Sequence, residues 1–311
     1  MAQALRELII GSRGSPLAIW KAEWVETRLR ALVPGLSVSL QRIKTTGERI
    51  LDVPLATIGG KALFVKEIEE ALARGEIDLA IHSMKDVPTQ LPAGMEILAI
   101  PAREDPRDAL IARGGLSLEK LHRGARIGTS SLRRQSQLLH ARPDLTVVML
   151  RGNLDTRLRK LEAGDYDAIV LAAAGLRRLG LEQQITEYLS HEVCLPAIAQ
   201  GALGLEGRAD DPFVRDIVTG LEDRSTRIAV TTERAFLERL EGGCQVPIAA
   251  HATIGKTIHL QGLIASVDGR RLVRGASEGA LSDGIQIGAA LAERLLSQGG
   301  REILNEIYGR H

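Results

Sequence analysis

Across the first half of the chain one arrangement recurs: a short apolar stretch, a polar turn, then a stretch with helical spacing. Leu8-Ile9-Ile10 runs into Gly11-Ser12-Arg13-Gly14-Ser15-Pro16, where Ser15 suits an N-cap and Pro16 the first helical position. Ala18, Ala22, Val25, Leu29 and Leu32 then share one helix face. Val38 to Ile43 alternates like a half-buried strand, and Phe64, Ile68 and Leu72 mark a further helix. Leu79-Ala80-Ile81 leads into His82-Ser83-Met84-Lys85-Asp86. Ile127-Gly128 gives way to Thr129-Ser130-Ser131 and a helix with Leu132, Leu138 and Leu139. Val147 to Leu150 gives way to Arg151-Gly152-Asn153 and a helix with Leu154, Leu158 and Leu161, and Ile169-Val170-Leu171 closes the series. Strands alternating with helices predict an α/β fold, a mainly parallel sheet with helices on both faces.

Two Pro-containing passages, Pro101 to Pro106 and Leu195 to Gly201, read as crossings between lobes. Paired crossings predict two α/β domains around a cleft, the first from 1–101 with 202–219 and the second from 107–195. From about Thr226 the texture changes. Ile248 to Ile254 and Ile258 to Ala265 read as strands joined at Gly255-Lys256, and Asp268-Gly269 makes a hairpin turn before Leu272-Val273. With a helix over Ile285 to Leu296, residues 224–311 form a smaller α+β third domain.

A chain of 311 residues has room for these cores. The formal net charge of +1 supplies no global field to recruit nucleic acid or a membrane surface, so any positive site must be local. Aromatics at 3% disfavour a stacking platform for single strands. The N-terminal residues show no secretory signal, and no apolar run reaches the length of a transmembrane helix. Two cysteines, Cys194 and Cys244, make no disulfide framework, and a reducing cytosol is expected.

In open α/β sheets ligands bind beyond the carboxyl ends of the strands. The turns expected there carry Arg13 and Ser15, Lys85 and Asp86, Thr129, Ser130, Ser131, Arg133 and Arg134, then Arg151 and Arg157. Helix-start hydroxyls, backbone N–H groups and guanidinium forks together make an anion site. Capping alone explains the hydroxyls of any single turn; several turns that add arginine are harder to explain so. The pattern lacks nucleotide-binding glycine signatures, and adjacent arginines suit carboxylates. Asp86 is either a charge partner for these cations or a carboxylate that steadies a positive intermediate. His82 beside it reads as a structural histidine, and no cluster has zinc-like spacing, so no metal is expected.

The stretch Glu241-Gly242-Gly243-Cys244-Gln245-Val246-Pro247 sets a thiol between a glycine pair and a Val-Pro corner. Such a cysteine is either a small buried hydrophobe or an exposed nucleophile on a tight loop.

Taken together, Arg13-Gly14-Ser15-Pro16-Leu17-Ala18, Gly59-Gly60-Lys61 with Leu63-Phe64, and His82 to Pro88 resemble the porphobilinogen deaminase family. So do Gly128 to Arg134, Arg151-Gly152-Asn153, Leu195-Pro196 with Gln200-Gly201, and Gly243 to Pro247. The blocks fall in order over nearly the whole chain. Departures are Ala62, where the family usually has glycine, and Lys21, where glutamine is common. The resemblance implies two periplasmic-binding-protein-like lobes plus the third domain, in a monomeric cytosolic transferase of haem and tetrapyrrole biosynthesis. Such an enzyme joins four porphobilinogen molecules head to tail into hydroxymethylbilane and releases ammonia. It implies a dipyrromethane cofactor on Cys244 as a thioether, with Asp86 as the catalytic residue, contacting the pyrrole nitrogens and assisting both deamination and coupling. Ser15, Lys85, Thr129, Ser130, Ser131, Arg133 and Arg134 would then hold the cofactor. Arg13, Arg151, Arg157 and Arg178 would receive the substrate's acetate and propionate arms; spacing alone does not separate Arg178 from Arg177. Thr46 to Gly60 would form a flap.

Two other readings compete. A solute-binding module also has two α/β lobes around a cleft, but it needs neither Asp86 nor Cys244. A nucleic-acid binder using Arg133-Arg134 is disfavoured by the near-neutral charge.

Overall fold

The computed structural model describes residues 6–44, 66–240 and 246–309. The chain divides into two compact units, Met1–Arg103 with Ala202–Arg227 and Glu104–Gly201 with Ile228–His311. Cys244, the segment Thr46 to Gly60, Lys61, Ala62 and Phe64 lie outside the described residues.

The first unit begins with β1 (Leu8–Ser12), α1 (Pro16–Leu32) and β2 (Val38–Arg42). The Ser15 hydroxyl caps α1 by accepting from the Ala18 amide at 3.4 Å, and Pro16 opens the first turn. Ala18, Ala22, Val25 and Leu29 face the sheet as their spacing predicts, but Leu32 is 49% exposed where the helix runs out. On β2, at the edge of the sheet, Val38 is buried and Leu40 is exposed. There follow α2 (Lys66–Ala73), β3 (Leu79–Ser83), a 3-10 turn over Met84–Asp86, and β4 (Met95–Ala99).

The second unit opens with β5 (Asp108–Ala112), β6 (Arg126–Gly128), α3 (Leu132–Ala141), β7 (Thr146–Val148) and α4 (Leu154–Glu162). It continues with β8 (Ala168–Ala172), α5 (Ala173–Arg178) and β9 (Glu187–Tyr188). The chain then returns to the first unit for β10 (Leu203–Arg208) and α6 (Pro212–Thr219).

Among the described residues each unit has one five-stranded sheet, ordered β2-β1-β3-β10-β4 and β7-β6-β8-β5-β9. β1 pairs in parallel with β2 and β3, as β6 does with β7 and β8. In each sheet one strand runs against the rest: β10 is antiparallel to β3 and β4, and β5 to β8 and β9. Both odd strands come directly after a crossing passage, so the expected mainly parallel sheets hold with one reversal each. Apolar clusters cover both faces. In the first unit Leu8, Ile10, Val25, Leu29, Leu205 and Val218 pack on one side, with Ile68, Leu72, Ile77 and Ala80 on the other. Full burial of each Leu, Ile or Val side chain among them contributes about 1.5–3 kcal/mol against the entropy of ordering it.

The last segment is α7 (Arg224–Arg239), the antiparallel sheet β11 (Ile248–Ile254), β12 (Ile258–Ala265) and β13 (Leu272–Gly279), then α8 (Gly284–Leu295) and α9 (Arg301–Tyr308). The three strands and α8 stand where the apolar pattern places them. The hairpin turn of Asp268-Gly269 presses on α3: a Cβ at Gly269 would lie 2.4 Å from the Ser136 carbonyl, and His140 Nδ1 is 2.9 Å from the Gly269 carbonyl. Only glycine permits that approach.

Candidate functional site

In the first unit the 3-10 turn is pinned by Met84, which is buried and donates its amide to the Ala202 carbonyl at 3.0 Å. Lys85 and Asp86, next in the chain, are half-buried. Arg13 and Ser15, at the end of β1 and the start of α1, are half-buried as well. Lys21 is buried, with Nζ 3.5 Å from the Ser83 hydroxyl. Behind this turn His82 Nε2 lies 2.7 Å from Glu206 Oε2, both side chains in the interior. Burial, with the nearby Glu206 carboxylate, raises the Glu69 carboxyl to about 7. Among the described residues no group of three His, Cys, Asp or Glu side chains could hold a metal ion.

In the second unit three consecutive parallel strands each deliver guanidinium groups beyond their carboxyl ends. β6 closes at Gly128, where a Cβ would meet Tyr166, Ile169 and Leu150 at 2.9 to 3.1 Å, so glycine alone fits. Thr129 is buried and its hydroxyl accepts from the Ser131 amide at 3.2 Å. The Ser130 hydroxyl donates to the Leu150 carbonyl at 2.9 Å. The Ser131 hydroxyl accepts from the Arg134 amide at 3.4 Å and caps α3. After β7, Asn153 caps α4 by accepting from the Thr156 amide at 2.9 Å, and Arg157 Nε donates to the Gly152 carbonyl at 2.9 Å. Arg151 and Arg157 are half-buried.

After β8, the end of α5 separates its two arginines. Arg177 is exposed, with Nε 2.9 Å from Glu104 Oε1, whereas Arg178 turns inward and donates from Nη2 to the Gly201 carbonyl at 2.7 Å. Burial pushes the Arg178 guanidinium down to about 10, against the opposing pull of Glu104.

Arg133 and Arg134 are the most deeply placed of these cations, at 5% and 6% exposure. Their anchor is Asp108, the first residue of β5 and fully buried. Arg134 donates to Asp108 Oδ1 from Nε at 3.0 Å and from Nη2 at 2.7 Å, while Arg133 Nη1 donates to Oδ2 at 2.6 Å. Gln200 Nε2 adds a donor to Oδ1 at 2.9 Å, and the Cys194 thiol one to Oδ2 at 3.2 Å. Arg133 Nη1 also reaches the Leu195 carbonyl at 2.7 Å, and Arg134 Nη1 the Val170 carbonyl at 3.0 Å. Although burial opposes ionisation of Asp108, the two guanidiniums outweigh it and hold the carboxyl far below the ordinary range.

The Cys194 thiol is the reverse case. Burial, reinforced by the Asp108 charge, pushes it up to about 12, and it is a free cysteine. Such a thiol is inert as a nucleophile.

Thr129, Ser130, Ser131, Arg133, Arg134, Arg151, Arg157 and Arg178 thus belong to the second unit, and Arg13, Ser15, Lys85 and Asp86 to the first. Asp108 and the contacts of Gln200 went unread in the sequence. The available signal was an acid opening the apolar run Asp108-Ala109-Leu110-Ile111-Ala112, since a charge in a buried strand demands partners. Guanidiniums, hydroxyls and helix-start amides form a donor set that fits a ligand rich in carboxylates.

Residues 8–216 match the family model described as porphobilinogen deaminase, dipyromethane cofactor binding domain, and residues 227–297 match porphobilinogen deaminase, C-terminal domain. Relatives bearing the name porphobilinogen deaminase align nearly end to end. That of Pelobacter propionicus is 56% identical over 306 residues, 98% of each chain. That of Geobacter sulfurreducens is 56% identical, covering 99% of this chain and 96% of its own. That of Syntrophotalea carbinolica is 58% identical, covering 96% and 95%. Likeness to solved structures is remote: an alkanesulfonate-binding protein of Xanthomonas axonopodis is 16% identical over 78% of each chain, with a TM-score of 0.38. With two successive models of one family and relatives more than half identical along its length, the chain belongs to the porphobilinogen deaminase family.

Proposed function

We propose that this chain is a hydroxymethylbilane synthase, joining four porphobilinogen molecules head to tail and releasing one ammonia at each addition. Family membership gives the coarser part plainly: an enzyme of transferase type in tetrapyrrole biosynthesis, with a dipyrromethane cofactor and porphobilinogen as substrate. The observation that carries the finer reading is the delivery of Arg133 and Arg134, Arg151 and Arg157, and Arg178 from the ends of three successive strands, β6, β7 and β8. Each porphobilinogen brings two carboxylates, so a growing oligomer repels itself, and fixed guanidiniums offset that repulsion.

Cys244 is the proposed attachment point. Its support is the inertness of Cys194, the other cysteine of the chain. The dipyrromethane, when bound, supplies the pyrrole end to which the first substrate is joined. Ser15, Lys85, Thr129, Ser130, Ser131, Arg133 and Arg134 are proposed to hold its carboxylates and orient it. Arg13, Arg151, Arg157 and Arg178 are proposed to receive the acetate and propionate arms of each substrate.

Asp86 is the proposed catalytic carboxylate. Breaking the C–N bond of the aminomethyl group expels ammonia and leaves a positive azafulvene on the substrate. A nearby aspartate lowers the energy of that charge and accepts hydrogen bonds from the pyrrole N–H. A new C–C bond then forms, and the pyrrole carbon that gained it loses its proton, for which the same carboxylate is a suitable acceptor.

We further propose three domains, 1–101 with 202–219, 107–195, and 224–311, the last carrying Cys244, in a cytosolic monomer that engages neither nucleic acid nor membrane. The +1 net charge supports the last point, and no helix among the described residues is long and apolar enough to cross a membrane. The experiment that tests the function is intact-mass measurement of purified protein, with ammonia release assayed on porphobilinogen. A dipyrrole increment with one ammonia per substrate consumed supports it; an unmodified mass with no consumption overturns it.

A further inference from the structure

We propose that Asp108 is a positioning residue for ligand-carboxylate binding, fixing the orientation of Arg133 and Arg134 and cancelling one of their two charges. The inference rests on the proposed role of those arginines. A carboxylate with no exposed surface holds an edge of each guanidinium, Nε and Nη2 of Arg134 and Nη1 of Arg133. Backbone carbonyls of Leu195 and Val170 take Nη1 of each, so neither fork is left to rotate. Both arginines stand in the first turn of α3, beside the capping Ser131. The planes of the two forks are therefore set before any ligand arrives, and little ordering remains to be done on binding.

The charge count sharpens the point. Two guanidiniums and one carboxylate leave a single surplus positive charge in this cluster, because the other groups on Asp108, the Gln200 amide and the Cys194 thiol, are neutral. The arginine pair thus acts as one monovalent receptor and takes one ligand carboxylate. Gln200 carries the arrangement further along the chain. Its Nε2 bridges Asp108 to the Pro106 carbonyl at 2.7 Å, and the carbonyl of the next residue, Gly201, receives Arg178. One backbone step therefore links the arginines proposed for the cofactor to one proposed for the substrate.

The test is Asp108→Asn in the full-length holoenzyme. It keeps the shape of the side chain but removes the charge and turns a donor toward the guanidiniums. Misplacing the acceptor end of the cofactor should lower kcat per loaded molecule at least about ten-fold, with KM for porphobilinogen held within about three-fold. The loaded fraction by intact mass should also fall. Ser136→Ala trims the same buried stretch of α3, where the hydroxyl donates only to the Arg133 backbone carbonyl and touches neither Asp108 nor either fork, and should leave kcat and loading unchanged. A lower melting temperature in Asp108→Asn with normal kcat per loaded molecule would make the residue structural only and overturn the inference. So would equal losses in Ser136→Ala. Should Asp108→Asn not accumulate as folded protein, Gln200→Met decides: it removes a neutral donor from Oδ1 and should cut loading or kcat about three-fold, and wild-type values there refute the proposal. A wild-type protein without a dipyrrole increment would instead defeat the functional reading itself.

Discussion

Glu233 Oε2 accepts a hydrogen bond from the backbone amide of Ala199 at 2.5 Å, and Ala199 stands there in the left-handed region with φ 58°. The other oxygen of the same buried carboxylate accepts from the Ala252 amide at 2.8 Å. One side chain on α7 thus ties the crossing segment to the edge strand β11. Glu233→Ala leaves two interior amides without these acceptors, and should cost about 2–5 kcal/mol in a urea melt. A left-handed alanine carries about 1–2 kcal/mol of steric cost. Ala199→Gly is accordingly expected to be neutral or slightly stabilising, and Ala199→Val destabilising.

The Glu69 carboxyl, raised to about 7 from an ordinary 4.5, links stability to pH. Between those values the folded protein holds a proton that the unfolded chain has lost. Stability should therefore fall as pH rises from about 4.5 to 7 and level off above that. Glu69→Gln should flatten this segment of a stability-against-pH curve, and an unchanged slope would remove Glu69 as its source.

Asp86→Asn keeps the size of the side chain while deleting its charge. Loading with the dipyrrole and the melting temperature should stay near wild type, whereas turnover of porphobilinogen should drop by about a hundred-fold or more. Steady-state ammonia release measures it. Turnover within a few-fold of wild type would remove Asp86 from the chemistry.

Cys244→Ser should abolish the mass increment, while Cys194→Ala should retain it. The reverse pattern would move the attachment to the buried thiol, against its raised pKa.

Arg134→Leu removes a partner from a buried carboxylate as well as a proposed ligand contact. It should lower stability by about 3–5 kcal/mol and leave the purified protein largely without dipyrrole. A fully loaded variant would contradict the second role.

Much of this was legible before any coordinates. The Ser15-Pro16 start of α1, the Asn153 turn and the three strands of the last sheet follow from capping chemistry and alternation, which act over a few residues. The face of α3 was not legible. Leu132, Leu138 and Leu139 suggest an apolar stripe, yet Leu138 is fully buried while Leu132 and Leu139 are half-buried, and Arg133, Arg134 and Gln137 share the interior. Those polar groups go inside because Asp108 and the Leu195 backbone, distant in sequence, satisfy them. The reversal of β5 and β10 was equally hidden, since strand direction leaves no mark on apolar periodicity. Between Arg177 and Arg178, only the tertiary position of Gly201 distinguishes inside from outside.

The placement of β10 has a consequence for biogenesis. It lies between β3 and β4, so β4 has no sheet neighbour among the described strands until Leu203–Arg208 has been synthesised. The intervening stretch, by contrast, holds all five strands of its own sheet. On the ribosome the N-terminal portion emerges first but completes its sheet only after the intervening one, and a nascent chain halted before Leu203 would display an open sheet edge to chaperones and proteases.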